Sequence, residues 1–429
     1  MKHIPFYLLS VSLLTLAGCS DNDSTPIAPI KEKTYSGVSE LEVFYNDKPM
    51  VGKTAVFAQE DNKALVKVFS EFDLSQLSEF GLSGKLPSPG IIPGSPLFNI
   101  NTDVKDNGSS WEFSGSGEND FCTYKYTGYA TPDNFKLYIS DAALKNGGMS
   151  PAIWKPAPIK KGDDGSISST PFYIDWEYRP IKEIDINLSP IIEALTVIPV
   201  IPVYDNTAYM SVSQAIFEIV KGVAFLSDGN ILISYISSVG GAAHLDQTAP
   251  NGFQYVMPTS DMLKFYVNPL SFFSFILENT SGSTPESEID LNATGLWPAK
   301  DSQTKPDANS PTMENIKKFL ASPTVQKILK SIMPQLLPMV AEGIPMAYNL
   351  SDNSLKIFID TEMAVGIMTP IVKTLIEDNT TIELIKKYIA SDPRLAALLP
   401  DVEKAIALLP KAIEQTTTFN IGFNLIPYE

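Results

Sequence analysis

Between Tyr35 and Lys145 apolar side chains return at every second position, and turn residues cut the runs at short intervals. Glu40-Leu41-Glu42-Val43-Phe44-Tyr45 alternates, as does Cys122-Thr123-Tyr124-Lys125-Tyr126, and Phe135, Leu137 and Ile139 form a third set. Side chains on a strand point to opposite faces in turn, so a period of two predicts half-buried strands. Asn46-Asp47, Glu60-Asp61-Asn62, Asp106-Asn107-Gly108 and Pro132-Asp133-Asn134 supply the turns between them. Short strands at this spacing predict an up-and-down barrel or a sandwich over residues 35–145. Cys122 shares its face with Tyr124 and Tyr126, which reads as a small buried hydrophobe rather than a reactive thiol. The stretch from Gly81 to Pro96, rich in proline and glycine, interrupts the meander as a long loop.

The pattern then changes. Residues 146–171 are rich in Pro, Gly and Ser and read as a linker. From 172 to 429 strand-like and helical periods mix, which predicts an α+β domain with helices on one face of an antiparallel sheet. Tyr173 to Tyr178 is strand-like, Ser213 to Lys221 reads as a short helix, and Ser227-Asp228-Gly229-Asn230 is a hairpin turn before Ile231. Three segments echo one another, starting at Val56, Ala224 and Ala347, each with an acidic-Asn turn between apolar runs. Shared hairpin physics accounts for the echo better than duplication does. A polar segment at 278–312 is long enough for a functional or disordered loop. Beyond it Pro323 suits a first helical turn, and Pro334 and Pro338 break or bend the helix that follows. Further helices are predicted over Glu362–Glu377, Thr381–Ala390 and Asp401–Gln415, with a closing strand from Thr418 to Leu425.

Charge and composition remove several classes of function. A formal net charge of −17 repels phosphate backbones, so nucleic acid is not an expected partner. The chain has two cysteines and two histidines. If Cys19 is modified and His3 removed with a leader, Cys122 and His244 remain. No intramolecular disulfide and no zinc site built on several Cys or His is then expected.

The N-terminus resembles a lipoprotein leader. Lys2 and His3 precede an apolar run from Ile4 to Leu16, too short to span a bilayer, and residues 1–18 read as a signal peptide. Leu16-Ala17-Gly18-Cys19 resembles the bacterial lipobox, which implies lipidation at Cys19. The alternative is an ordinary secreted protein with a chance cysteine. Ser20, Asp21 and Asp23 resemble the surface-export signal of Bacteroidetes lipoproteins, and Ser24, in Asp23-Ser24-Thr25, resembles that phylum's O-glycosylation acceptor. Residues 19–34 read as a lipidated flexible stalk. The expected location is the outer membrane, lipid-anchored, on either the cell surface or the periplasmic face.

With the opening Tyr35-Ser36-Gly37 and the later run Phe225 to Ile231 followed by Tyr235, the chain is similar to uncharacterised Bacteroidetes lipoproteins. Some of these carry a calycin-like N-terminal β-barrel, and the resemblance implies that fold here. Gly37 is followed by Val38-Ser39, not by the Gly-x-Trp opening of true lipocalins, so a lipocalin-type ligand cup is not implied.

No catalytic constellation stands out. His244 lies in Gly240-Gly241-Ala242-Ala243-His244-Leu245-Asp246 without a Gly-x-Ser-x-Gly pentapeptide, and reads as a loop histidine. Phosphate-binding, zinc-protease and complete calcium-loop motifs are absent from the sequence. Trp154 in the linker and Trp297 in the polar segment are candidate ligand contacts, since such rings stack on sugars or clamp partners. The competing reading docks both onto their own domain; Trp111 and Trp176 read as core. Methionines cluster between Met313 and Met368 among proline-interrupted helices, either as gap fillers or beside a groove. The expectation is a non-enzymatic, tethered binding protein for a glycan or an apolar small molecule, with no cofactor and no metal. An envelope assembly protein acting through protein contacts is the alternative, followed by a hydrolase with an acidic site. Oligomeric state stays open.

Overall fold

The structure is a computed structural model. It describes residues 28–428 except 51, 76–82, 88–89, 150–152, 163–166, 183–187, 200, 204–207, 240–241, 249–251, 269–322, 378, 392–395 and 397–398. The fold is a β-rich α+β arrangement of two large, mainly antiparallel sheets with a smaller helical layer, and one sheet is a nearly closed barrel.

The barrel is built from the alternating N-terminal segments. Its strands are β1 (Lys33–Ser36), β2 (Leu41–Tyr45), β3 (Lys48–Met50), β4 (Thr54–Glu60), β5 (Lys63–Phe69), β8 (Phe98–Asp106), β9 (Trp111–Glu118), β10 (Cys122–Ala130) and β11 (Phe135–Leu144). A small hairpin of β6 (Glu71–Asp73) and β7 (Lys85–Pro87) leaves the wall between β5 and β8. From β4 to β11 the wall is an antiparallel meander. Alternation leaves β4 and β11 pointing opposite ways. The opening segment pairs antiparallel with β4 through β1, bends at Gly37 without reversing direction, and therefore meets β11 in parallel through β2. Asn46 and Asp47 have φ of 44° and 64°, the left-handed pair that a tight β2–β3 hairpin requires. Inward positions are filled by rings: Phe57 lies 6.1 Å from Phe113 and 6.2 Å from Phe135, and Tyr35 lies 5.4 Å from Phe135. Burying each such side chain contributes about 1.5–3 kcal/mol. Emptying the barrel to make a ligand cup would sacrifice several of those contributions at once.

The second sheet takes strands from the rest of the chain. They are β12 (Ile153–Pro156), β15 (Phe172–Tyr178), β18 (Val220–Phe225), β19 (Ile231–Val239), β20 (Ala242–Gln247), β21 (Phe253–Val256), β22 (Met262–Val267), β23 (Ile344–Ser351), β24 (Ser354–Ile359) and β25 (Thr416–Pro427). Their order is β20-β19-β18-β12-β25-β24-β23-β22-β21, with β15 also on β25. The sheet curls until β21 reaches the β18–β19 turn through an Asn230–Gln254 bridge. Two short hairpins, β13 (Lys160–Lys161) with β14 (Ile167–Ser169) and β16 (Ile201–Val203) with β17 (Ala208–Met210), stand apart from it. The helices are α1 (Leu188–Leu195), α2 (Val212–Ile219), α3 (Pro323–Glu342), α4 (Thr361–Glu377), α5 (Asn379–Ser391) and α6 (Leu399–Glu414). Among the described residues no helix is long and apolar enough to cross a membrane. α3 runs on through Pro334 and Pro338, so these prolines do not end it. One core cluster packs α1, α4 and α6 on β15 and β25, with Ala364, Val372, Leu409 and Ile413 against Trp176 and Phe419.

Residues 146–171, expected as a linker, instead supply an internal strand. β12 sits between β18 and β25 and pairs with both. Its Trp154 is 3% exposed and belongs to the same buried cluster as the barrel's Phe135 and the second sheet's Tyr255 and Leu425. Proline and glycine dominate the composition there, but Ile153-Trp154-Lys155-Pro156 carries a short alternation that a gap in the sheet captures. Within the stretch expected as a long loop, Ile91 and Ile92 join the same core: they are 0% and 2% exposed, and Ile91 O accepts from Gln254 Nε2 at 3.4 Å.

Candidate functional site

Helices α4 and α6 pack on β25, and hydrogen bonds from both ends of the contact fix their relation. Asp360 caps α4, its carboxylate accepting from Met363 N at 3.1 Å, while Thr361 Oγ1 accepts from Phe419 N on β25 at 2.8 Å. At the other junction Thr416 Oγ1 donates to Ala412 O at 3.0 Å and accepts from Trp176 Nε1 at 2.9 Å. Both helices contain an interior proline, Pro370 in α4 and Pro410 in α6. Each lacks the N–H that would bond the preceding turn, which keeps such helices from regular close packing.

Between α4, α6 and the start of β25 lies a groove of about 770 Å³. Val365, Val372, Ile376, Pro410 and Ile413 give it an apolar lining, and Thr361, Thr369 and Thr416 add hydroxyls that are already bonded to backbone or to Trp176. Among the described residues Glu362, Glu377 and Glu414 stand around it with one lysine, Lys373, and all four are exposed. The volume falls within the range of about 300–1,000 Å³ typical of small-ligand pockets. An apolar floor with an acidic rim suits an apolar body carrying a positively charged or hydrogen-bond-donating end.

The residues singled out in the sequence fall elsewhere. Cys19, Ser20, Asp21, Asp23, Ser24 and Trp297 lie outside the described residues, as does the 278–312 segment. Trp154 is no ligand contact from solvent, because β12 is paired on both edges and the ring is buried in the shared core. His244 is in β20, in register with Ser237. Cys122 is fully buried near Pro93 O, and burial pushes its thiol up to about 12, far from a nucleophile's range. Trp111 and Trp176 are core, at 7% and 5% exposure. Met333 and Met363 are buried and Met368 packs on the helical core, while among the described residues no methionine lines the groove. The groove's own residues were not singled out by sequence; of the two interior prolines, Pro370 belongs to the proline-interrupted helices read as a possible groove, and Pro410 was not noted.

The run Phe225 to Ile231 has a structural role. Asp228 at the β18–β19 turn accepts from Asn230 N at 2.9 Å, Asn230 Nδ2 at 3.0 Å and Asn46 Nδ2 at 3.2 Å. Its carbonyl accepts from Tyr45 Oη at 2.6 Å, and Leu144 N donates to Ser227 O at 2.8 Å. Burial, and secondarily the Asp228 charge, hold the Tyr45 hydroxyl well above its usual pKa. Gly229 (φ +85°) fits because a Cβ there would lie 2.6 Å from the Pro93 ring. The hairpin is thus the bolt between barrel and second sheet. No family model, curated protein or solved structure matches this chain.

Proposed function

We propose that this is a lipid-anchored, non-enzymatic binding protein of the bacterial outer membrane, taking an apolar small molecule in the α4–α6 groove. The groove's apolar lining is the observation that carries the reading: five aliphatic or proline side chains face a concavity of ligand size. The N-terminal barrel supports a calycin-like reading of that sheet, but its ring-filled interior directs the ligand to the helices instead. The lipobox-like Leu16-Ala17-Gly18-Cys19 supports the anchor and, with the following Ser-Asp-Asn-Asp, the likeness to Bacteroidetes lipoproteins. Two or more acyl chains make such a tether stable.

Two experiments test this. Mass spectrometry of the N-terminal peptide from native membranes is expected to show a diacylglyceryl thioether on Cys19; a free thiol or a retained leader refutes the anchor. Thermal-shift titration of detergent-solubilised full-length mature protein with alkyl amines, alcohols and carboxylates of equal chain length tests the groove. The expected order is amine above alcohol above carboxylate, because three carboxylates and one lysine border the site. Thr369 is exposed and lines the groove, so Thr369→Arg is expected to fill it and weaken binding at least about tenfold, roughly 1.4 kcal/mol. No shift with any chain, or an unchanged Thr369→Arg titration, refutes it.

A further inference from the structure

The barrel carries a second concavity, on its outer wall and independent of the helical groove. β8 and β9 are in ladder register only over Val104–Asp106 and Trp111–Phe113. Beyond Val104, β8 stays with β5, while beyond Phe113, β9 stays with β10. A groove of about 520 Å³ opens over this split and extends across β10 to β11. Strand register places its outward side chains in two rows. In one, Lys105, Glu112, Tyr129 and Lys136 stand on successive strands; in the other, Ser114, Thr127 and Tyr138 do. Ser114 and Thr127 are short and exposed, and they lie between the taller Tyr129 and Tyr138 on one side and Lys105, Glu112 and Asp103 on the other. Short residues between tall ones make a trough on a surface that barrel curvature would otherwise leave convex.

The chemistry of the trough selects its occupant. Tyr138 stacks on Phe44 at 4.8 Å, and Lys136 sits 5.2 Å and 5.3 Å from the two ring centres. Lys136 is also tied to Glu42 at 2.8 Å, so its charge is already matched. Asp103 and Glu112 outweigh the remaining Lys105, which disfavours anions. Carboxylates accept hydrogen bonds from adjacent hydroxyl pairs, hydroxyls both give and accept, and tyrosine rings cover C–H faces. From this geometry we infer that the outer barrel wall binds an uncharged oligosaccharide lying across β9, β10 and β11.

The test uses the full-length mature protein, titrated calorimetrically with neutral gluco-, manno-, galacto- and xylo-oligosaccharides, and in parallel with oligogalacturonate and phosphatidylglycerol vesicles. At least one neutral series is expected to bind at millimolar concentration or below. Thr127→Arg places a long side chain in the trough from an exposed position and is expected to weaken that binding about tenfold or more. Tyr129→Ala is expected to do the same, while Thr369→Arg, in the helical groove, leaves it unchanged. That control separates failure of this site from failure of the other. Binding to none of the neutral series, preference for oligogalacturonate or vesicles, or full binding by both folded barrel variants would overturn the proposal.

Discussion

Lys53→Met is expected to stabilise the protein by about 3 kcal/mol at neutral pH, an advantage that shrinks above pH 8. Lys53 is 6% exposed just before β4, with Ser70 Oγ, itself buried, 3.2 Å from its Nζ. Burial lowers its pKa from 10.5 to about 8. Below pH 8 both folded and unfolded chains hold the proton, and burial disfavours the ammonium in the folded chain. Between pH 8 and 10.5 only the unfolded chain holds it, so wild-type stability gains about 1.4 kcal/mol per pH unit from this group. Tyr35 and Tyr255, whose hydroxyls burial raises to about 12, act in the opposite direction above pH 10, as Cys122 does above pH 9. The difference between wild type and Lys53→Met removes those common contributions. Urea unfolding of both at pH 7 and pH 9.5 measures it. An advantage that stays constant with pH, or a less stable variant at pH 7, contradicts this account of Lys53.

Asp228→Ala is expected to cost about 3 kcal/mol, whereas Asp352→Ala is expected to stay within about 0.5 kcal/mol of wild type. Both aspartates occupy the same place in segments that echo each other in sequence, at the β18–β19 and β23–β24 turns. Removing the Asp228 carboxylate deletes its hydrogen bonds from Asn230 N, Asn230 Nδ2 and Asn46 Nδ2 at the joint between the sheets. Asp352 is exposed on a free hairpin tip. Chemical denaturation of the two variants reads the contrast directly. Equal effects would show that the turn's local conformation, rather than the bolt between sheets, is what Asp228 serves.

These two aspartates also show where sequence is informative. Alternation and acidic-Asn turns identified the β4–β5, β18–β19 and β23–β24 hairpins, because hairpin register is local. The helices over 361–377, 379–391 and 399–414 were legible to within about two residues from apolar spacing alone. Nothing local distinguished the turn that bolts the sheets from the one that faces solvent. Parallel closure of the barrel through β2 and β11 was equally hidden, because it depends on the direction in which a whole meander ends. Ile91-Ile92 and Trp154 were read from their proline- and glycine-rich surroundings as loop and linker, yet both are buried by a sheet distant in sequence. The helical groove was foreshadowed only by prolines within helices. Its lining is set by how α4, α6 and β25 approach one another, which a linear pattern does not record. The outer-wall trough combines residues from β8 to β11, each an ordinary outward position by itself.

Photoaffinity mapping tests the central claim most directly. A diazirine-bearing alkyl amine bound to the full-length mature protein, cross-linked and mapped by peptide mass spectrometry, is expected to label Thr361–Glu377 and Leu399–Glu414, with competition by the unlabelled amine. Labelling confined to the barrel, or spread over the surface without competition, would contradict a ligand site between α4 and α6.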